Sequence, residues 1–376
     1  MKSKILFLVH LAPPVHGAAT ICGYVKDSVL INSSFDCKFI NLASAGSLSD
    51  IGKWNFKKVL VILQLWFTVL KTTVTGKYQL CYMTINAKGG AWYKELVTVA
   101  ILKLFSVPIV YHFHNKGVEE NSNTRFKKLL YLFQFNKTKS IVISPLLYPD
   151  IKKLVPPADV YYCPNGITAL ALNKKDTILT PKTTLKNEPV KILFLSNLIE
   201  SKGVYVLLEA CSLLQKKSIP FNCIFIGGES DITAADFNSK VKYLNLQTNV
   251  SYQGKKYGLE KQIAFSEADI FAFPTYYHNE TFGLVIVEAM QQALPVVSTF
   301  EGGVPDVVAD NISGFLVPQQ NAKALAEKLE LLIQNPNLRS EMGNAGKKLY
   351  QEKFTIEIFE KKILEILSDA LLKFKK

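Results

Sequence analysis

The sequence predicts an α/β protein built from two Rossmann-like domains, and three observations carry that prediction. The chain has 376 residues, more than one ordinary core organises and a length that suits two domains. Two short apolar runs without alternation, Lys4-Ile-Leu-Phe-Leu-Val-His10 and Val190-Lys-Ile-Leu-Phe-Leu-Ser196, read as opening strands buried on both faces. Between them, Ala171 to Pro189 is rich in Lys, Thr, Asn and Pro and poor in large apolar side chains, the composition of a linker.

Each half then alternates short apolar runs with helical periodicity, which argues βαβ units. In the first half Leu80–Ile85, Pro108–His112 and Ser140–Ile143 read as strands; in the second, Cys223–Ile226, Val250–Tyr252, Ile270–Ala272 and Pro295–Ser298 do. Thr355 to Lys376 is a long amphipathic helix pattern ending in Lys373-Phe-Lys-Lys376. The expected organisation is therefore a first domain over 1–170, a linker over 171–189, a second domain over 190–354 and a helix over 355–376.

Composition narrows the function. Six single cysteines (Cys22, Cys37, Cys81, Cys163, Cys211, Cys223) form no CxxC spacing and no Cys/His cluster, so they read as reduced core thiols of a cytoplasmic protein. The N-terminal apolar run Ile5 to Val9 is too short for a signal peptide. The most hydrophobic stretch, Val59 to Leu70 between Lys58 and Lys71, falls short of the ~20 residues a spanning helix needs, so no transmembrane segment is expected. The net charge is +13, and all of it arises in residues 1–180, where 22 Lys and Arg face 9 Asp and Glu. Such asymmetry points to an anionic partner met by the first half: a membrane surface, a phosphorylated acceptor or nucleic acid. No RNP, helix-turn-helix or zinc signature supports nucleic acid. No GxGxxG follows either opening strand, which disfavours a dehydrogenase.

The segment Pro274-Thr-Tyr-Tyr-His-Asn-Glu-Thr-Phe-Gly-Leu-Val-Ile-Val-Glu-Ala-Met290 runs from a strand through a loop into a helix. Amide groups at Gly283 and Leu284 would face a diphosphate at that helix start, aided by the helix dipole. Glu288 lies about one turn inside the helix, able to accept hydrogen bonds from ribose hydroxyls, and Glu280 lies in the loop before it. Two lone glutamates would ordinarily be surface residues; this context reverses that reading. In Leu195-Ser-Asn-Leu-Ile-Glu-Ser-Lys-Gly203, Lys202 can put an ammonium on phosphates. Gly227-Gly228-Glu229 follows another strand as a tight turn.

Glu280 and Glu288, separated by seven residues with Phe282-Gly283 between them, resemble the EX7E motif of retaining GT-B glycosyltransferases, and of glycosyltransferase family four in particular. Glu301-Gly-Gly-Val-Pro-Asp306 and Asn311-Ile-Ser-Gly-Phe-Leu-Val-Pro318 resemble the same family. The resemblance runs through most of the second half and touches several loops of the first. It implies two Rossmann-like domains facing each other across a cleft, with the C-terminal helix returning to the N-terminal domain. It also implies transfer of a sugar, with retention, from a UDP- or GDP-sugar to a sugar or lipid-linked acceptor, in cell-surface polysaccharide or lipopolysaccharide assembly. The alternatives are a GT-B sugar-nucleotide epimerase and a basic nucleic-acid-binding protein.

The resemblance assigns roles residue by residue. Glu280 contacts the donor sugar, Glu288 the ribose, and the backbone amides of Gly283 and Leu284 the diphosphate, with Phe282 also in the donor site. Lys202 holds phosphate, and Asn197 stands where an arginine is usual. Gly228 matches a glycine near base and diphosphate. His114, at the end of Tyr111-His-Phe-His-Asn115, matches a histidine near the reaction centre. In Pro13-Pro-Val-His-Gly-Ala-Ala-Thr20 the small residues Gly17 and Ala18 leave room for a ligand, and His16 is there to contact an acceptor or cap a helix. Asn165 borders the cleft. No DxD motif appears, and neither a metal nor another cofactor is expected. Two basic, greasy helices, Trp54 to Lys77 and Arg125 to Phe135, suit peripheral contact with an anionic membrane, the inner face of the plasma membrane for a cytoplasmic enzyme.

Overall fold

The computed structural model describes residues 2–13, 16–43, 56–169 and 188–374. It divides the chain into two compact units, Met1–Gly166 with Ile356–Lys376, and Ile167–Thr355. Most of the expected linker, residues 171–187, lies outside the described residues, as do Pro14, Val15 and Trp54.

The first unit holds a parallel sheet of β1 (Lys4–Val9), β2 (Asp36–Asn41), β3 (Leu80–Ile85), β4 (Ile109–Phe113), β5 (Thr138–Val142) and β6 (Val160–Tyr162). Their order is β2-β1-β3-β4-β5-β6, so the chain reverses direction across the sheet between β1 and β3. The central strands are buried almost end to end and mostly apolar because helices cover both faces. Right-handed crossovers put helices Phe56–Gly76, Gly89–Leu104 and Arg125–Phe135 on one face. Leu65, Val69, Trp92, Val99, Tyr131 and Phe135 of those helices share one core with the sheet. The C-terminal helix Ile356–Lys373 belongs to this unit: Asp369 accepts a hydrogen bond from the Tyr161 hydroxyl at 2.6 Å, and Phe359 lies 6.4 Å from the His112 ring.

The second unit holds β7 (Val190–Leu195), β8 (Phe221–Ile226), β9 (Val250–Tyr252), β10 (Ile270–Phe273), β11 (Val296–Thr299) and β12 (Gly314–Val317). The parallel order β12-β11-β10-β7-β8-β9 is that of a Rossmann fold, with its reversal between β7 and β10.

Strands expected from apolar runs form within two residues of the expected ends. Three strands went unread. β2 and β6 are edge strands, half-exposed or only three residues long, so neither makes an apolar run. β12 is only four residues of a loop-like segment.

One expectation about the first unit needs correction. The apolar stretch does not end at Lys71: the helix runs from Phe56 to Gly76, and Val59–Gly76 is long and apolar enough to cross a membrane by length and composition. Uncharged Thr72, Thr73 and Val74 extend it past a single lysine. Among its described side chains only a stripe of Leu65, Val69 and Thr73, four residues apart, is buried, while Leu63, Phe67 and Val74 on other sides are more than half exposed. The stripe is anchored by the Trp66 indole N–H, which donates to the Lys94 carbonyl at 3.1 Å.

Candidate active site

In open α/β sheets a ligand pocket forms outside the carboxyl ends of the strands, where strand order reverses. In the second unit this is where the loops after β7 and β10 meet. Glycines make the meeting possible. A Cβ on Gly203, which has φ +89°, would stand 2.2 Å from the Pro274 carbonyl oxygen. A Cβ on Gly227 would stand 1.7 Å from that of Ser196. The loop after β11 closes in the same way: a Cβ on Gly302 would come within 2.1 Å of the Glu280 carbonyl oxygen.

This packing brings Lys202 and Glu280 together. The Lys202 ammonium lies 2.6 Å from Oε2 of Glu280, and both side chains are largely buried. The ammonium also lies over the Tyr277 ring, 4.4 Å from its centroid. Beside them Gly283, with φ +75°, turns the chain into helix Leu284–Gln291 without a side-chain cap. The first N–H groups of that helix are thus left for a ligand. Glu288, one turn inside, receives an ion pair from Lys261 at 2.6 Å through Oε1, while its Oε2 is buried and has no hydrogen-bond partner among the described residues. Phe282 turns into the core against Phe354, 5.7 Å away, so only its backbone faces the loop. Asn197 is exposed, and its Oδ1 accepts the Gly228 N–H at 3.2 Å.

The first unit has its own polar cluster at the reversal between β1 and β3. His10, just past β1, donates through Nε2 to Oε1 of Glu95 at 2.8 Å and meets the Thr84 hydroxyl through Nδ1 at 3.0 Å. Glu95 is fully buried in helix Gly89–Leu104. Burial alone would push its pKa up. His10, Lys94 and the Asn86 N–H outweigh that and hold it below the usual carboxylate value. Asn86 bonds Glu95 through both its backbone and side-chain N–H groups, at 2.7 Å each, and accepts from Asn115 at 3.0 Å.

His114 and His16 stand near this cluster. Burial, then the neighbouring His10 and His16, push the His114 imidazole down to about 3, so the ring is neutral at physiological pH. It stacks obliquely on His112, ring centroids 4.2 Å apart. His16 takes the capping alternative: its Nδ1 accepts the Ala19 N–H at 3.3 Å and starts helix Gly17–Asp27. Gly17 and Ala18 form the first turn of that helix. Asn165 is buried, its Oδ1 without a hydrogen-bond partner among the described residues.

The structure therefore brings Lys202, Glu280, Gly283, Leu284 and Glu288 to one side of the second unit, with Asn197 and Gly228 on the adjoining loops. It sets His114, His16 and the Gly17 helix in the first unit. Sequence reasoning missed Lys261, Tyr277, His10 and Glu95, because each is tied to its partner by chain folding rather than by spacing. Among the described residues no group of three His, Cys, Asp or Glu side chains is placed to hold a metal ion.

Fold and site together define a protein of two Rossmann-like units whose second unit presents a Lys–Glu site at its strand reversal. Residues 176–349, most of that unit, match the family described as "Glycosyl transferases group 1". The chain is 30% identical over 224 residues to the capsular polysaccharide biosynthesis glycosyltransferase CapM of Staphylococcus aureus, covering 56% of this chain and 57% of CapM. It is 31% identical over 186 residues to the amylovoran biosynthesis glycosyltransferase AmsK of Erwinia amylovora, covering 48% of this chain and 45% of AmsK. The chain thus spans about half the length of these curated relatives. A Rickettsia africae glycosyltransferase structure matches over 98% of this chain and 99% of its own, with TM-score 0.76 and 20% identity. The Anabaena protein Alr3699/HepE, solved with UDP and glucose, matches over 98% of this chain and 100% of its own, with TM-score 0.72 and 18% identity. These neighbours show the fold, which is GT-B.

Proposed function

We propose that the chain is a glycosyltransferase that moves a sugar from a nucleoside-diphosphate sugar to an acceptor hydroxyl, with retention, in the assembly of a cell-surface polysaccharide. The Lys202–Glu280 pair beside the uncapped start of helix Leu284–Gln291 carries the reading. An entering diphosphate would compete with Glu280 for the Lys202 ammonium. Phosphate oxygens would then sit against that ammonium and the Gly283–Leu284 amides, and Glu280 would be released toward the sugar. Glu288 Oε2 is the acceptor waiting for a ribose hydroxyl. The bond from the anomeric carbon to the phosphate oxygen breaks, a bond to the acceptor oxygen forms, and the acceptor proton leaves with the departing diphosphate. Preorganised cations and amides balance the developing charge, so the reaction is proposed to need no metal.

The names of CapM and AmsK support a polysaccharide pathway, and HepE supports UDP-glucose chemistry for the donor. The acceptor is proposed to be a sugar or lipid-linked sugar, met at an anionic membrane by a cytoplasmic enzyme. One face of the first unit favours that placement. Phe67 of helix Phe56–Gly76, Leu104 of helix Gly89–Leu104, and Phe126 and Leu129 of helix Arg125–Phe135 are 64–76% exposed on neighbouring helices, with Lys71, Arg125 and Lys128 exposed among them. The buried stripe of Leu65, Val69 and Thr73 keeps the first helix on the unit, so the contact is peripheral.

The test is to incubate the protein with UDP- and GDP-sugars, with and without lipid-linked acceptors, and follow the nucleoside diphosphate released. Acceptor-dependent release with an α-configured product from an α-configured donor supports the reading. Conversion of donor alone to an epimer, or no donor binding, overturns it. Sedimentation with anionic vesicles that high salt reverses supports the membrane contact; resistance to alkaline carbonate would mean insertion.

A further inference from the structure

A pyrophosphoryl group carries more charge than one ammonium balances, and Lys202 is already shared with Glu280. The loops at the carboxyl ends of β8 and β9 hold another cation. The Gly227 N–H donates to the Gly254 carbonyl at 2.9 Å, and the Tyr252 hydroxyl donates to the Gly227 carbonyl at 2.8 Å, so the two loops form one unit. Leu198 ties them to the loop after β7, its N–H donating to the Gly228 carbonyl at 2.7 Å. Lys255 follows Gly254 and folds over Gly228: a Cβ built on Gly228 would stand 2.1 Å from Lys255 Cε and 3.1 Å from its Nζ. The same point lies 3.2 Å from Asn197 Oδ1. Lys255 is exposed and makes no ion pair or hydrogen bond with any described residue. An unpaired ammonium laid over the glycine turn after β8, beside the exposed Asn197 amide on the loop after β7, has no structural work to do.

We infer that Lys255 binds the diphosphate of the donor from the β9 side, as the second cation of the site, with Gly228 kept side-chain-free so that the ammonium can lie there. The inference rests on the proposed nucleoside-diphosphate site. Lys255→Met is expected to weaken UDP or GDP binding about tenfold, the scale of one charge-assisted hydrogen bond. Binding of the corresponding nucleoside should not change. Gly228→Ala, which pushes the Lys255 chain aside, should produce a similar selective loss, and should add nothing in the Lys255→Met background. Asn197→Arg, which returns a cation to the same spot, should restore most of the lost affinity. The measurement is calorimetric titration of UDP, GDP, uridine and guanosine into the full chain, with circular dichroism to show that each variant is folded. Equal UDP and GDP affinities for wild type and Lys255→Met, or additive effects of Gly228→Ala and Lys255→Met, would overturn the inference and leave the functional reading standing. If the wild type binds neither UDP nor GDP, the functional reading falls and the inference with it.

Discussion

Lys202 Nζ lies 2.6 Å from Glu280 Oε2, a bond that joins the loops after β7 and β10 across the strand reversal of the second unit. Breaking one side of a largely buried pair leaves the other charge desolvated. Lys202→Met should therefore destabilise the second unit by about 3 kcal/mol in urea unfolding. The double variant Lys202→Met/Glu280→Gln should recover most of that. Glu280→Gln alone should keep UDP binding and lose turnover by at least ~100-fold. Wild-type turnover in Glu280→Gln would remove that residue from the chemistry.

Gly302 supports Glu280 from behind. Its φ is +54°, and a side chain would collide with the Glu280 carbonyl. Gly302→Ala should move Glu280 without touching a ligand. Displacements of this kind cost about 100-fold in rate. Steady-state kinetics should show a fall in kcat with a much smaller change in UDP affinity.

Lys261 holds Oε1 of Glu288 and leaves Oε2 unpartnered. Glu288→Ala should cost about tenfold or more in UDP affinity. It should cost nothing toward 2′,3′-dideoxy-UDP, which lacks the hydroxyls that Glu288 would accept from. Lys261→Met should show the same pattern more weakly, because it frees the carboxylate to rotate. Equal losses for both ligands would place Glu288 away from the ribose.

The first unit should be acid-sensitive. The folded state pushes His114 from 6.5 to about 3, mainly through burial. A histidine lowered on folding binds its proton more readily when unfolded, so stability falls as pH drops below 6.5 and goes on falling toward 3. At pH 5 this one group costs about 2 kcal/mol relative to pH 8. His112, lowered by burial and by His114, acts in the same direction. Denaturant melts of His114→Asn should therefore lose less stability between pH 7 and 5 than wild type. Parallel curves for the two proteins would rule this out.

The sequence revealed what is periodic or contiguous. Central strands such as Ile5–Val9 and Ile192–Leu195 are unbroken apolar runs because two helix layers cover them. The Glu280–Glu288 segment is legible because strand, loop and helix follow one another directly. Edge strands such as Asp36–Asn41 half-face solvent and give no such run. The partners of the candidate acids were invisible for another reason. Lys261 precedes Glu288 by a whole strand, and His10 meets Glu95 only because β1 lies beside β3. Cys211 and Cys223 were read as reduced thiols, and both are free here. Lys71 breaks the most apolar run of the sequence but not the helix, because the uncharged threonines beyond it continue the pattern to Gly76.

Helix Ile356–Lys373 completes the first unit although the whole second unit precedes it in the chain. On a ribosome, the second unit can reach its native state while the first still lacks a piece. Until that helix emerges, Tyr161 has no Asp369 to bond and the layer containing Phe359 is open. The order of maturation is then the reverse of the order of synthesis, and nascent chains halted before residue 356 should offer a protease the earlier-made half first.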